Sequence, residues 1–129
     1  MRNDKENLIV DLSFDFALKI IEYAELLESK KKFVIANQIL KSGTSIGANV
    51  HEAQNAESKA DFIHKLKIAA KEADETQYWL KLCEIAKTYP SPGTINEDLL
   101  SVIRVLSKII GSSKRGAKSS NHQIVKSSN

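Results

Sequence analysis

One face of the segment 35–53, IANQILKSGTSIGANVHEA, is apolar or lacks a side chain at every position when the residues are placed at helical spacing. The positions on this face are Ala36, Ile39, Leu40, Gly43, Ile46, Gly47, Val50 and Ala53. Two glycines inside a helix each cost roughly 1 kcal/mol relative to alanine, so their place on the buried face predicts that a neighbouring helix approaches closely. A phosphate loop, the alternative interpretation, needs a Lys-Ser/Thr pair after the second glycine, where this chain has Ala48 and Asn49. We therefore predict a central bundle helix over about 33–56.

A preceding helix is predicted to begin between Ile9 and Ser13 and to end near Ser29, because apolar residues again recur at helical spacing. The row that defines it is Phe14, Ala17, Leu18, Ile21 and Ala24. A second row flanks the first and consists of Phe16, Ile20, Tyr23 and Leu27. An apolar face this wide is typical of a helix that packs on two sides or against another subunit.

Two more helices are predicted, because two capping boxes follow in the sequence and each marks the start of a helix. In the first box Ser58 caps the helix and Asp61 reaches back; the helix is expected to end near Thr88, before Pro90. Its apolar row is interrupted by Thr76 and Gln77 and otherwise consists of Phe62, Ile63, Leu66, Ala69, Ala70, Ala73, Leu80 and Cys83. The second box, Thr94 to Glu97, opens a fourth helix at Ile95, for which Gly111 is the expected C-terminal cap.

Four amphipathic helices with short connections, and no strand signal, predict an all-α, antiparallel up-down-up-down four-helix bundle. The bundle is expected to span residues 9–111. Residues 1–8 are predicted to form a frayed N-terminus, and residues 112–129 a basic, flexible tail with almost nothing to bury.

The composition of this 129-residue chain bears on its compartment and on its relation to membranes. Its single cysteine excludes an internal disulfide, no signal peptide is visible, and the apolar runs are too short to span a membrane. We expect a soluble, cytoplasmic protein of one domain.

The formal net charge of +3 is distributed unevenly. All 16 acidic residues lie before position 99, whereas the segment 99–129 carries six basic residues and no acidic one. Polyanion binding and a merely solvated tail explain this asymmetry equally well.

Catalytic and metal sites find little support in the sequence. A di-iron site in a four-helix bundle needs two Glu-x-x-His pairs, and the nearest approach is the single pair Asp61 and His64. Cys83 lies on an apolar row and is interpreted as a core thiol. We expect no enzyme activity, no metal and no cofactor.

A line of basic and aromatic side chains runs along the third helix beside its apolar row, from His64 to Lys81, and includes Tyr78. Side chains one turn apart can follow a phosphate backbone, and an aromatic ring among them can stack on an unpaired base. An ordinary solvated face is the alternative. The predicted nucleic-acid-binding residues are Lys67, Lys71, Lys81, Arg104, Lys108, Lys114, Arg115 and Lys118.

Polar residues also repeat one turn apart on the second and third helices. Asn49 and Glu52 form one such pair, and Glu72 and Glu75 form the other. If the two helices are antiparallel neighbours, Asn49 or Glu52 could contact the middle of the third helix, where Glu75 lies. Such a buried polar contact, which we call the polar pin, would fix the register of the two helices. The alternative is that the carboxylates face water.

Residues 42–80 also resemble a known family, the bacterial four-helix-bundle proteins encoded within intervening sequences of 23S ribosomal RNA genes. That family also contains the accessory variability determinant of diversity-generating retroelements. The resemblance rests on the run Ser45, Ile46, Asn49 and Glu52, then Ala60-Asp61-Phe62-Ile63, Ile68-Ala69 and the segment 75–80.

The resemblance implies a non-catalytic bundle that assembles into a pentameric ring. In the retroelement members it also implies binding to nucleic acid and to a partner reverse transcriptase. This chain departs from many members at Lys71 and Glu72, where they carry a Gly-Ser pair. The expected function is a nucleic-acid-binding or scaffolding homo-oligomer; the alternative is a protein-interaction module that does not touch nucleic acid.

Overall fold

The computed structural model describes the backbone of residues 4–128 and the side chains of residues 7–116. Within that range the chain forms four α-helices and no strand, as predicted. The helices are α1 (Asp4–Ser29), α2 (Phe33–Ala53), α3 (Lys59–Ile85) and α4 (Ile95–Ser128). None of the described helices is both long enough and apolar enough to cross a membrane.

The helices form an antiparallel bundle in which each packs against the next and α4 returns to α1. The direction of α3 relative to α2 follows from two contacts, Glu52 with Lys65 and Ser42 with Thr76, since one residue number falls as the other rises. On the opposite side, Lys19 pairs with Asp98 and Tyr23 donates to the carbonyl of Pro90, so α1 and α4 are antiparallel too. The predicted four-helix-bundle fold is confirmed.

The glycines of α2 face α1. A Cβ on Gly43 would lie 2.8 Å from the side chain of Ile20, and one on Gly47 would lie 3.2 Å from the carbonyl oxygen of Ser13. Any larger residue would push the two helices apart, because Ile20 and Ser13 are themselves buried. The close helix approach predicted from the glycines is confirmed.

The core side of α1 differs from the row that defined the helix in the sequence. Phe16, Ile20, Tyr23 and Leu27, the flanking row, are buried. The defining row turns largely outward, with Phe14 64% exposed, Leu18 48% and Ile21 40%. Both rows have helical spacing, and periodicity alone does not say which one meets the core. The exposed row gives α1 a second apolar face, which we call the outer α1 face: Phe14, Leu18 and Ile21.

Four of the eight helix ends lie where predicted, at Ser29, Phe33, Lys59 and Ile95, and the other four differ by three residues or more. The first helix begins at Asp4, within the predicted frayed terminus, and α2 and α3 each end three residues early, at Ala53 and Ile85. The largest difference is at Gly111, which does not end α4: the helix continues to Ser128. Glycine is tolerated inside a helix at a cost of about 1 kcal/mol, so it marks an end only when the chain turns there.

The cap of α3 is as predicted for Ser58, whose hydroxyl accepts from the backbone N–H of Asp61 at 3.0 Å. The carboxylate of Asp61 reaches back one residue further than the motif requires, accepting at 3.4 Å from the N–H of Glu57. The Ser58 and Asp61 side chains therefore satisfy one amide inside the first turn of α3 and one just before its cap.

Candidate nucleic-acid interface

Basic side chains from α3 and α4 meet where the C-terminal part of α4 passes the N-terminal half of α3. The side chains of Lys67 and Lys114 are neighbours across the two helices, and Lys71 is one turn further along α3. This contact with Lys114 lowers the pKa of Lys67, and burial and Lys71 lower it further. We call Lys67, Lys71 and Lys114 the lysine cluster.

A fourth lysine, Lys59, extends the cluster toward the end of the bundle. Its Nζ lies 3.1 Å from the position that a Cβ would occupy on Gly116 of α4. Sequence reasoning missed Lys59, because it stands at the first position of α3 and off the basic line of that helix. The absence of a side chain at Gly116 lets the lysine approach α4.

The remaining predicted basic residues of α4 lie apart from the cluster. Arg104 and Lys108 are exposed, about 80 to 120° around the helix from Lys114 at 100° per residue. The guanidinium of Arg115 folds along its own helix and donates to the Ser112 hydroxyl at 3.2 Å. The side chain of Lys118 lies outside the described residues.

At the other end of the α3–α4 face there is an open groove of about 420 Å³. Lys81, a predicted site residue, lines it together with Tyr78, which had been predicted to stack on a base. Asn96 and Leu100 of α4 line the other side of the groove. The Asn96 amide donates to a carboxylate oxygen of Glu84 at 2.8 Å, so this wall is held in place across the two helices.

The ring of Tyr78 is exposed yet supported. It is 58% exposed and meets Trp79 edge to face, with ring centroids 5.1 Å apart at an angle of 69°. The indole N–H of Trp79 in turn donates to Glu75 at 3.2 Å. Pairs of this geometry are favourable by about 0.5–1.5 kcal/mol beyond their buried area.

The lysine cluster has no acidic partner among the described side chains. The two ion pairs found there, Lys19 with Asp98 and Lys65 with Glu52, use other lysines. Like charges brought together without a counter-ion repel each other, and an external anion would relieve that repulsion.

The residues predicted to form a buried polar contact between α2 and α3 do not form it; two other residues do. Asn49 donates to the carbonyl of Ser45 within α2, and Glu52 reaches α3 only through an exposed ion pair. Glu75 bonds within its own helix. The buried polar contact between α2 and α3 is instead Ser42 with Thr76, whose hydroxyl oxygens are 2.9 Å apart.

The Ser42 and Thr76 pair is fully satisfied. Thr76 Oγ1 also lies 2.7 Å from the carbonyl oxygen of Glu72, and both residues are at most 1% exposed. A hydroxyl has a single proton, so a chain from Ser42 to Thr76 to the carbonyl uses each group once. In the sequence, Thr76 was interpreted only as an interruption of an apolar row.

The side chains considered for catalysis or metal binding, Cys83 and Asp61, are both in structural positions. Cys83 is buried, as predicted, and burial raises the pKa of its thiol. It neighbours Tyr23, whose pKa is also raised, chiefly by burial. Asp61 is occupied in the α3 cap. Among the described side chains, no group of three or more His, Cys, Asp or Glu residues is positioned to hold a metal ion.

Comparison with known proteins identifies a family model and solved structures that match this chain. A family model described as 23S rRNA-intervening sequence protein matches residues 5–112. A crystal structure of a protein of unknown function from Bacteroides thetaiotaomicron, assigned to the S23 ribosomal protein family, is similar at 45% sequence identity with a TM-score of 0.78. The alignment covers 83% of this chain and 98% of that one. No curated protein matches the chain.

Proposed function

Because this chain belongs to the 23S rRNA-intervening sequence protein family, as its sequence resemblance predicted, we propose that it is a non-catalytic, cytoplasmic nucleic-acid-binding protein that acts as a homo-oligomer. The observation that carries this proposal is the lysine cluster. Lys67, Lys71 and Lys114 converge from two helices without an acidic partner among the described side chains. A polyanion supplies the counter-charges that the protein itself does not provide there.

Assembly makes this modest charge effective. A monomer of net charge +3 binds polyanions weakly, whereas several copies in a ring bring their basic groups onto one ligand and gain avidity. The outer α1 face supports self-association, because Phe14, Leu18 and Ile21 form an exposed apolar row on one helix. The pentameric state implied by the family resemblance is part of this proposal.

The test is a fluorescence-anisotropy titration of the purified protein against a structured RNA and a duplex DNA at several salt concentrations. Micromolar or tighter binding with a steep negative slope of log affinity against log salt is expected, because the binding releases counter-ions. A variant with Lys67→Glu and Lys114→Glu should lose most of this affinity. Absence of binding even at low salt would overturn the proposal.

The second candidate is a protein-interaction module, for which a reverse transcriptase is the partner suggested by the resemblance to retroelement accessory proteins. The specific observation that favours it is the amount of exposed apolar surface. Besides the outer α1 face, Val34 is 75% exposed and Ile85 73%. Co-purification of a stable complex from cells, with no affinity for nucleic acid, would favour this candidate.

A further inference from the structure

The α3–α4 face has two chemically different halves. One half is the lysine cluster, which carries only positive charge. The other is the groove, where an exposed aromatic ring, Tyr78, stands beside the amide of Asn96 and the carboxylates of Asp74 and Glu84. The halves follow each other along α3, with Lys71 and Tyr78 seven residues apart, or about 10 Å at 1.5 Å per residue.

The two halves suit different parts of one ligand. Phosphate groups are attracted to the lysine cluster and repelled from the groove by Asp74 and Glu84, where Lys81 is the single lysine. A nucleobase is uncharged, stacks on an aromatic ring and pairs at its edge with amides and carboxylates. The acidic residues therefore orient a nucleotide chain, with its backbone at the lysines and a base in the groove.

The support of Tyr78 makes it a suitable stacking surface. Its ring is held against Trp79, and Trp79 is tied to Glu75, so little side-chain freedom is lost when a base stacks on the exposed face. The groove volume of about 420 Å³ is within the range of small-molecule sites in proteins.

We infer that the α3–α4 face binds single-stranded nucleic acid, with phosphates on Lys67, Lys71 and Lys114 and an unpaired base stacked on Tyr78 in the groove. This inference rests on the proposed function and names its ligand class. A duplex satisfies only the lysine half, because its bases are already stacked on one another and do not present a face to Tyr78.

The experiment compares a fluorescein-labelled single-stranded RNA oligonucleotide with a blunt-ended RNA duplex of the same length by anisotropy. The wild-type protein should bind the single strand more tightly. Replacing Tyr78 with Leu should weaken single-strand binding about 5- to 150-fold, the fold-change that corresponds to roughly 1–3 kcal/mol per stacked base. Duplex binding should not change. Tyr78→Phe keeps the ring and should retain the affinity.

The lysine half has its own readout. Lys67→Gln with Lys114→Gln should lower the magnitude of the salt slope for the single strand by about 1.4, which is about 0.7 for each of the two phosphate contacts removed. The matched control is Lys30→Gln with Lys87→Gln, which removes the same charge from exposed positions at the other end of the bundle; its slope should stay near that of the wild type. Circular dichroism checks that each variant remains helical.

Two results would overturn the inference, and they are distinguishable. Equal loss of single-strand and duplex affinity in Tyr78→Leu, or no loss in either, would exclude base stacking in the groove while leaving nucleic-acid binding by the protein intact. Failure of the wild-type protein to bind either ligand would remove the proposed function together with this site.

Discussion

Gly43 of α2 lies so close to Ile20 of α1 that a Cβ on the glycine would be 2.8 Å from both Cγ atoms of the isoleucine. Ile20 is fully buried and branches at its own Cβ, so its two Cγ atoms cannot swing aside as the end of a long side chain would. The packing of α1 on α2 therefore depends on this missing methyl group.

Gly43→Ala should lower the free energy of unfolding by about 1 kcal/mol. Overpacking costs about 1–3 kcal/mol, which outweighs the gain of roughly 1 kcal/mol in helix propensity. The control is Gly111→Ala in α4, where the nearest atom is the flexible end of Arg115 at 3.3 Å; this variant should be neutral or more stable. Urea denaturation measures both. Equal stabilisation by the two substitutions would show that α1 and α2 are not in this close contact.

The Ser42 and Thr76 contact predicts a stability coupling between α2 and α3. Thr76→Val leaves the buried Ser42 hydroxyl without its partner and should cost about 1–2 kcal/mol. The double variant Ser42→Ala with Thr76→Val should cost less than the sum of the single variants, because no polar group is then left unpaired. Thr44→Val, which removes a bond to the Leu40 carbonyl within α2, is the control and should show no coupling to Thr76. Strict additivity for Ser42 and Thr76 would contradict the contact.

Glu72 predicts a specific dependence of stability on pH. Burial raises the pKa of its carboxyl, and Glu75 raises it further, against a smaller opposing effect of Lys41. Ionisation is therefore less favourable in the folded than in the unfolded protein, and stability from this group falls as the pH rises from the ordinary glutamate pKa through the raised one. Below the ordinary pKa both states are protonated and the group contributes nothing.

The variant Glu72→Gln should accordingly unfold at a higher temperature than the wild type at pH 7, and the difference should disappear near pH 4. Thermal denaturation followed by circular dichroism across this range gives the comparison. Glu84→Gln is not a suitable control because Glu84 holds Asn96; Glu57→Gln, at an exposed position between α2 and α3, is the better one. A difference between Glu72→Gln and the wild type that is independent of pH would show that ionisation is not its cause.

If the protein forms the proposed homo-oligomer, the outer α1 face is its expected interface. Phe14→Glu places a charge on the apolar row and should shift the mass measured by light scattering toward the 14.3 kDa of the monomer, without loss of helix content. Val34→Glu, an equally polar change at a more exposed position outside that row, serves as the control. An unchanged mass in Phe14→Glu would remove the outer α1 face as an interface.

Much of the bundle could be predicted because its signals are local. The apolar stripe of α2 and the Ser58 cap depend on spacing within one helix, and the structure confirms both. The choice between the two apolar rows of α1 was not a local question, since Phe14 and Phe16 belong to equally regular rows. Which row is buried depends on where α2 and α4 pack against α1, and the spacing of apolar residues within α1 carries no information about that.

The candidate site could likewise be predicted only where its signals lie within one helix. Lys67 and Lys114 were each recognisable as exposed cations, but their meeting depends on the antiparallel register of α3 and α4. Arg104 lies about 80° around α4 from Lys114 and therefore on another part of the helix surface. Thr76 was missed as a structural residue because a buried hydroxyl is stable only when its partner is present, and Ser42 lies 34 residues earlier in the chain.

The most direct test of the account is native mass spectrometry of the protein with and without a single-stranded RNA oligonucleotide. The proposed function predicts that the protein alone has a mass several times 14.3 kDa, and that RNA adds to this whole assembly. A 14.3 kDa species that acquires no RNA, in a low-salt volatile buffer where electrostatic binding is strongest, would contradict it.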